Sequence, residues 1–289
     1  MNAGRGSEPR KNALGAGREV HSFESRVVAN DDLGSGYHLL RLDAPEIVAS
    51  ASPGQFLTAA LAGTTDPLLG RPLAVFDIGE DRGQLDVLLR IAGRGTGLIA
   101  RLCEGERLRL VGPLGRGWRE EPGRTPVLVA GGTAFAALHW FAMRLAVSGR
   151  EVLAIWGQKS EADFPVRRES IVPGRMLVSL TTDDGSCGFA GTCLDRLRDA
   201  VEKDLRGGRP AIYAAGPVPM LRAVATLARA RDIPCQVSIE ARMACGIGVC
   251  RGCTVNGSGP DPETGLRRRA VCKDGPVFDA RDLDWEDLG

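Results

Sequence analysis

The sequence lacks what several broad function classes require. Its charges balance, with 37 Lys and Arg against 36 Asp and Glu and a net charge of +1, so no basic field points to a nucleic acid. No apolar run approaches the ~18 residues that a membrane-spanning helix needs. The N-terminal stretch is basic and Gly-rich but has no apolar segment of the signal-peptide kind. Residues 1–20 are therefore expected to form a disordered tail. With no export signal, the eight cysteines fit a reducing cytoplasm, where thiols hold metals rather than form disulfides. A cytoplasmic chain of two or three domains is expected, with neither a membrane nor a nucleic acid as partner.

Four of the cysteines are spaced for chemistry. Cys245, Cys250 and Cys253 follow C-x4-C-x2-C, the plant-type spacing for a [2Fe–2S] cluster, and Cys272 can supply the fourth thiolate. Gly246 and Gly248 allow backbone turns that a side chain would block. Zinc is the alternative, but zinc sites favour two C-x2-C knuckles and the second is missing. Cys103, Cys187, Cys193 and Cys235 have no such spacing and are expected to be packing residues.

Residues 21–120 read as short β runs broken by Gly, Pro and Asp: 22–29, 37–42, 55–61, 72–78, 84–91 and 107–111. Six such runs predict a small antiparallel barrel, with one short helix at 98–102. Arg71 precedes a stiff Pro72 step and can grip a diphosphate bidentately. The Gly93–Gly97 turn entering that helix offers backbone amides and the Thr96 hydroxyl as a phosphate cradle.

From residue 121 to 237 the pattern becomes strand, turn, helix. Strands are expected at 127–130, 152–156, 176–180 and 211–215, with a last one at 236–239. Helices are expected at 134–147, 194–205 and 220–231. Alternation of this kind implies a parallel sheet covered on both faces, with ligands at the carboxyl ends of its strands. That places 131–133, 181–184 and 216–217 on one rim. The fingerprint G-x-G-x-x-G is absent. His139, Trp140 and Phe141 read as core, and Asp183–Asp184 as a solvated turn.

Barrel, parallel sheet and cysteine motif follow in an order that resembles the electron-transfer subunit of type B dihydroorotate dehydrogenase, in the ferredoxin-reductase superfamily. The stretch 53–56 (PGQF) resembles the entry of the family's flavin barrel. Arg71, Pro72, Leu73 and Ala74 resemble its flavin motif; Leu88, Leu89 and Arg90, then Gly95 and Thr96, match its other FAD segments. Residues 112–115 (GPLG) match the loop that closes the barrel, and 182–186 (TDDGS) and 216–221 (GPVPML) match the nucleotide domain. The most specific match is 238–240 (SIE) followed by 242–250 (RMACGIGVC), with 271–278 (VCKDGPVF) bringing Cys272.

The resemblance implies an antiparallel FAD barrel over 21–120, an NAD-binding-like α/β domain over 121–237 and a [2Fe–2S] module over 238–289. It implies relay of electrons among NAD(H), FAD, the cluster and a separate FMN-containing catalytic subunit, as a heterotetramer of two of each, with no catalytic acid or base in this chain. Related ferredoxin:NADP oxidoreductase, sulfide dehydrogenase and hydrogenase subunits share the architecture, and a zinc-stapled binding module is the non-enzymatic alternative. The chain departs from the family at five places. Ala74 replaces a Ser of the flavin motif, Ala134 a Gly, Ala137 a Pro and Ala215 a Cys near the nicotinamide site, while residues 256–269 extend the cluster module with three consecutive Arg. The alanines predict weakened or altered NAD(H) reactivity with FAD and cluster retained. The basic loop is expected to be an extended hairpin, either solvated or facing an acidic surface.

Overall fold

A computed structural model describes residues 20–166, 177–204, 208–261 and 264–288. The expected strand start at Met176, the expected helix end at Leu205, nearly all of the N-terminal stretch and two residues of the basic loop lie outside these ranges.

The first seven strands are β1 (His21–Gly34), β2 (Tyr37–Asp43), β3 (Phe56–Leu61), β4 (Arg71–Ala74), β5 (Asp77–Gly79), β6 (Gln84–Arg90) and β7 (Arg107–Leu114). They form one antiparallel sheet in the order β4-β3-β7-β1-β2-β6-β5. The run expected at 72–78 is two strands, because it changes partner midway. Val75 N–H donates to the Gln55 carbonyl at 3.1 Å and Phe76 N–H to the Asp86 carbonyl at 2.9 Å. The two edges of the sheet are thus one continuous piece of chain, which curls the sheet toward a barrel. Side chains alternate as the pleat requires: Leu108 and Leu110 are buried while Arg107 and Arg109 are exposed. Helix α1 (Pro45–Val48) places Ile47 in this core. Helix α2 occupies Arg94–Ile99, not 98–102. The glycine-rich stretch is its first turn, since the Thr96 hydroxyl accepts hydrogen bonds from the Ala92 and Gly93 amides at 2.9 and 3.1 Å and so starts the helix early.

The second sheet contains β8 (Thr125–Gly131), β9 (Leu153–Gln158), β10 (Leu177–Thr182), β11 (Phe189–Ala190), β12 (Pro210–Ala215) and β13 (Cys235–Ser238), all parallel. A hairpin of β14 (Thr254–Asn256) and β15 (Arg268–Ala270) stands apart, and β16 (Val277–Asp279) joins β13 antiparallel. The order β11-β10-β9-β8-β12-β13-β16 reverses direction between β8 and β12. Helices α3 (Ala136–Val147), α4 (Cys193–Asp199) and α5 (Val218–Ala230) cover the sheet, and α6 (Val271–Asp274) is a single turn near its edge. Alternate strand residues feed opposite faces. Val127, Val129, Ile155 and Ile212 pack with α4 and α5 residues, whereas Leu128, Trp156 and Tyr213 pack with residues of α3.

The barrel and the parallel sheet share apolar cores. Trp140 of α3 is buried within the barrel's own core, while Tyr37, Phe76 and Leu88 of the barrel lie in the core beneath α3. His139 is buried, stacked on Phe76 with ring centroids 3.9 Å apart. The residues expected as core at 139–141 are core.

Candidate functional site

A cavity of about 400 Å³ opens where the barrel, the rim of the parallel sheet and residues 238–243 meet. Seven of the nine residues expected to hold a flavin line it: Pro72, Leu73, Ala74, Leu88, Leu89, Arg90 and Thr96. The other two, Arg71 and Gly95, touch each other just outside. A methyl built on Gly95 would stand 2.1 Å from the Arg71 Nε, so only glycine lets the guanidinium rest against the first turn of α2. That cradle suits a diphosphate, which a planar guanidinium can grip with two hydrogen bonds. The Thr96 hydroxyl plays a different part from the one expected. Besides accepting from two amides it donates to the Gly93 carbonyl at 3.0 Å, so it braces the turn instead of facing a phosphate.

Arg90 is held from two sides. Its Nη2 donates to Asp163 Oδ1 at 3.0 Å, and the guanidinium lies 5.3 Å from the Tyr37 ring centroid, a cation–π distance. The Asp163 carboxyl is held below its ordinary range by hydrogen bonds from Arg90 and then Ser160. Asp163 belongs to the α/β layer and Tyr37 to the barrel. No sequence signal marks a pair 73 positions apart.

The opposite wall is made of small residues. Thr133, Ala134, Ala136, Ala137 and Ala215 line it, with Ser238, Glu240 and Met243 completing the floor toward the cysteines. The three alanine departures in the nucleotide domain therefore converge on one surface. Along the same rim, Asp184 Oδ1 accepts from the Ser186 amide at 2.9 Å and from its hydroxyl at 2.6 Å, which hold its carboxyl below the usual range. This is the turn the sequence implied.

Beyond Met243 the chain enters the cysteine loop. Gly246 and Gly248 have φ of +72° and +85°. A methyl on Gly246 would lie 2.9 Å from Thr58 Cγ2 of β3, and one on Gly248 3.0 Å from the Lys273 Cβ. The loop thus seats between the barrel and α6. Its thiols and Cys272 lie close enough to influence one another, Cys250 acting on Cys245, and Cys253 and Cys245 on Cys272. The Cys250 amide donates to Cys245 Sγ at 3.4 Å. Burial pushes Cys245 up, but amide hydrogen bonds from Cys250, Ile247 and Val249 outweigh it and bring the thiol down to about 6. Burial, then the adjacent Cys253 thiol, pushes Cys272 up to about 12; a bound iron removes that proton outright. Among the described residues no three His, Cys, Asp or Glu side chains are arranged around a single metal ion. Four neighbouring thiols with no such single centre fit a [2Fe–2S] cluster, and a four-thiolate zinc site fits less well.

The hairpin between Cys253 and Cys272 forms as expected, but its basic triplet does not face outward as a block. Arg267 reaches Asp284 at 2.6 Å and the largely buried Arg269 reaches Asp282 at 3.5 Å, so two of the three Arg fasten the chain's own C-terminal segment. Of the remaining cysteines, Cys193 and Cys235 are buried, with thiols pushed by burial up to about 11 and about 12. They are packing residues as expected, whereas Cys103 is exposed and Cys187 half-buried.

An antiparallel barrel, an open parallel sheet and the segment leading into a cysteine loop meet at one cavity and define a ferredoxin-reductase-like flavoprotein with an iron–sulfur module. Residues 240–284 match the iron–sulfur cluster binding domain of dihydroorotate dehydrogenase B. Over 271 residues the chain is 31% identical to the dihydroorotate dehydrogenase B (NAD(+)) electron transfer subunit of Desulforamulus reducens, covering 91% of this chain and 98% of that one. It is 37% identical to the Bacillus caldolyticus subunit of the same name, over 80% and 86% of the two chains. The chain belongs to the family of dihydroorotate dehydrogenase B electron transfer subunits. Among solved structures, the NADH-dependent reduced ferredoxin–NADP oxidoreductase superposes with a TM-score of 0.79 at 25% identity, over 91% of each chain. The ferredoxin reductase of carbazole 1,9a-dioxygenase shares the fold, with a TM-score of 0.64 at 21% identity over 76% and 68% of the chains.

Proposed function

We propose that this chain carries FAD and a [2Fe–2S] cluster and relays electrons between NAD(H) and a separate, FMN-containing dihydroorotate dehydrogenase catalytic subunit. The observation that carries this reading is the shared cavity: flavin-motif residues, the nucleotide rim and the chain leading to Cys245 all border it. When bound, FAD exchanges a hydride with the nicotinamide and single electrons with the cluster, so the protein contributes spacing and electrostatics. Residues 21–120 supply the flavin site, 121–237 the nucleotide rim and 238–289 the cluster ligands.

The chain's own residues do the holding. Arg71, seated on Gly95, grips the FAD diphosphate. Pro72, Leu73, Leu88 and Leu89, which line the cavity, would keep water from the bound cofactor. Ala74 offers no hydroxyl where the family has Ser, a loss of about 1 kcal/mol that the remaining contacts tolerate. Cys245, Cys250, Cys253 and Cys272 would hold the cluster. Ile247 and Val249, on the cluster loop, are 48% and 75% exposed and supply an apolar edge for the catalytic subunit, in a heterotetramer of two of each chain. No helix among the described residues is long and apolar enough to cross a membrane.

The test is anaerobic co-purification with a dihydroorotate dehydrogenase catalytic chain, followed by addition of dihydroorotate. Reduction of the cluster, seen as a rhombic EPR signal, is expected; a bound partner that leaves the cluster oxidised overturns the relay. Mixing the FAD-loaded protein with NADH tests the alanine wall: slow bleaching of the flavin is expected, and rapid bleaching at micromolar NADH removes the case for weakened reactivity. The likeness to the NADH-dependent ferredoxin–NADP oxidoreductase favours a second reading with ferredoxin as partner, and reduction of the flavin by reduced ferredoxin would separate the two.

A further inference from the structure

The nucleotide rim has an occupant. The order of the parallel sheet reverses between β8 and β12, and the crevice at such a reversal, outside the carboxyl ends of the strands, is where ligands of open α/β sheets bind. Its lips are Gly131, ending β8, and Gly216, following β12. A methyl built on Gly131 would lie 2.8 Å from Met220 Sδ, and one on Gly216 would lie 2.7 Å from Met220 Cε. The half-buried Met220 side chain, from the first turn of α5, therefore fills the gap between the two glycines. The flavin cavity reaches Thr133 and Ala215, one or two residues inside this gap, and the thioether stands immediately beyond.

A dinucleotide extended from the 182–186 turn toward the cavity must cross the end of β8 and bring its nicotinamide half in beside Ala215. Met220, packed against the neighbouring core and close to both glycines, borders that path. A thioether has no hydrogen-bond donor and is only a weak acceptor, so it offers nothing to a diphosphate or a ribose. It is also unbranched, with rotatable bonds that let it swing aside without moving backbone. We propose that Met220 is a side-chain plug of the nicotinamide crevice and restrains NAD(H) affinity: the nucleotide binds only the fraction of molecules in which the thioether has moved away. This rests on the reading that NAD(H) uses this rim, and it gives that reading a specificity-determining residue. Apparent affinity is then the intrinsic affinity reduced by the open fraction, and removing the plug must tighten binding.

The experiment is titration of the FAD-loaded protein with NAD+, followed by the flavin absorbance change, for the wild type, Met220→Ala and Met220→Leu, with flavin content measured for each. Met220→Ala is expected to lower the dissociation constant about 5-fold or more, and Met220→Leu, which keeps the bulk, to stay near the wild-type value. In steady state with ferricyanide as acceptor, the KM for NADH should fall in Met220→Ala while kcat holds. Unchanged or weaker NAD+ binding in a Met220→Ala protein of normal flavin content overturns the plug and leaves the NAD(H) reading standing. Absence of NAD+ binding in all three proteins overturns both. Met220→Ser makes the same gap, and loss of flavin from both shortened variants would mark the thioether as structural support and overturn the inference.

Discussion

The two walls of the cavity are built differently. The barrel wall carries side chains with fixed partners: Arg71 rests on Gly95, Arg90 is held by Asp163 and Tyr37, and Thr96 is tied into its own turn. The sheet wall offers Ala134, Ala136, Ala137 and Ala215, with a movable thioether beyond them. Locked polar groups suit a cofactor that stays. A smooth wall with a displaceable side chain suits a substrate that arrives, reacts and leaves. Affinity is concentrated on one side and access on the other.

Cys250→Ser lies beyond both walls and should abolish electron delivery to the catalytic subunit while leaving FAD bound; EPR and flavin absorbance on one sample report both, and joint loss would mean that the cluster loop supports the flavin site. Trp140→Ala removes the α3 residue that lies in the barrel core and should cost about 3–5 kcal/mol in denaturant unfolding; a loss under 1 kcal/mol would show that the walls are held together elsewhere. Arg71→Ala attacks the retaining wall alone and should weaken FAD by about 1.5–3 kcal/mol, or roughly 10- to 150-fold, the range for a hydrogen bond to a charged group. Unchanged flavin retention through gel filtration would remove its phosphate role. Asp163→Asn frees Arg90 from the sheet side and should cost less than about 1 kcal/mol, since both groups are partly exposed. Its effect should shrink further in salt, and a salt-independent loss would point to packing instead.

Much of this was legible in the chain. All six β runs of the barrel and every expected strand of the parallel sheet within the described residues are present, because apolar alternation and glycine breaks are local signals. The residues expected at the flavin site are legible one motif at a time, and seven of them line one cavity. That Arg71 needs Gly95 is not legible, since it depends on two loops 24 positions apart meeting. The start of α2 is hidden in the sequence because Thr96 bonds backward to Ala92 and Gly93, which turns an apparent loop into helix. The direction of Arg267 and Arg269 was also hidden: three consecutive basic residues look like a surface patch until Asp282 and Asp284 are brought alongside by the fold. Ala134, Ala137 and Ala215 could each be seen as a departure, but only the topology makes them neighbours.

The pairing of β16 with β13 has a consequence for biosynthesis. The strand that completes the parallel sheet is encoded after the whole cysteine loop, so the sheet keeps an open edge on the ribosome until the chain past Cys272 has emerged. Completion of the parallel sheet therefore follows directly on the arrival of Cys272. A nascent chain stalled before residue 277 can close its barrel but cannot finish the sheet, and its unpaired edge is the surface a chaperone or a misplaced strand would meet first.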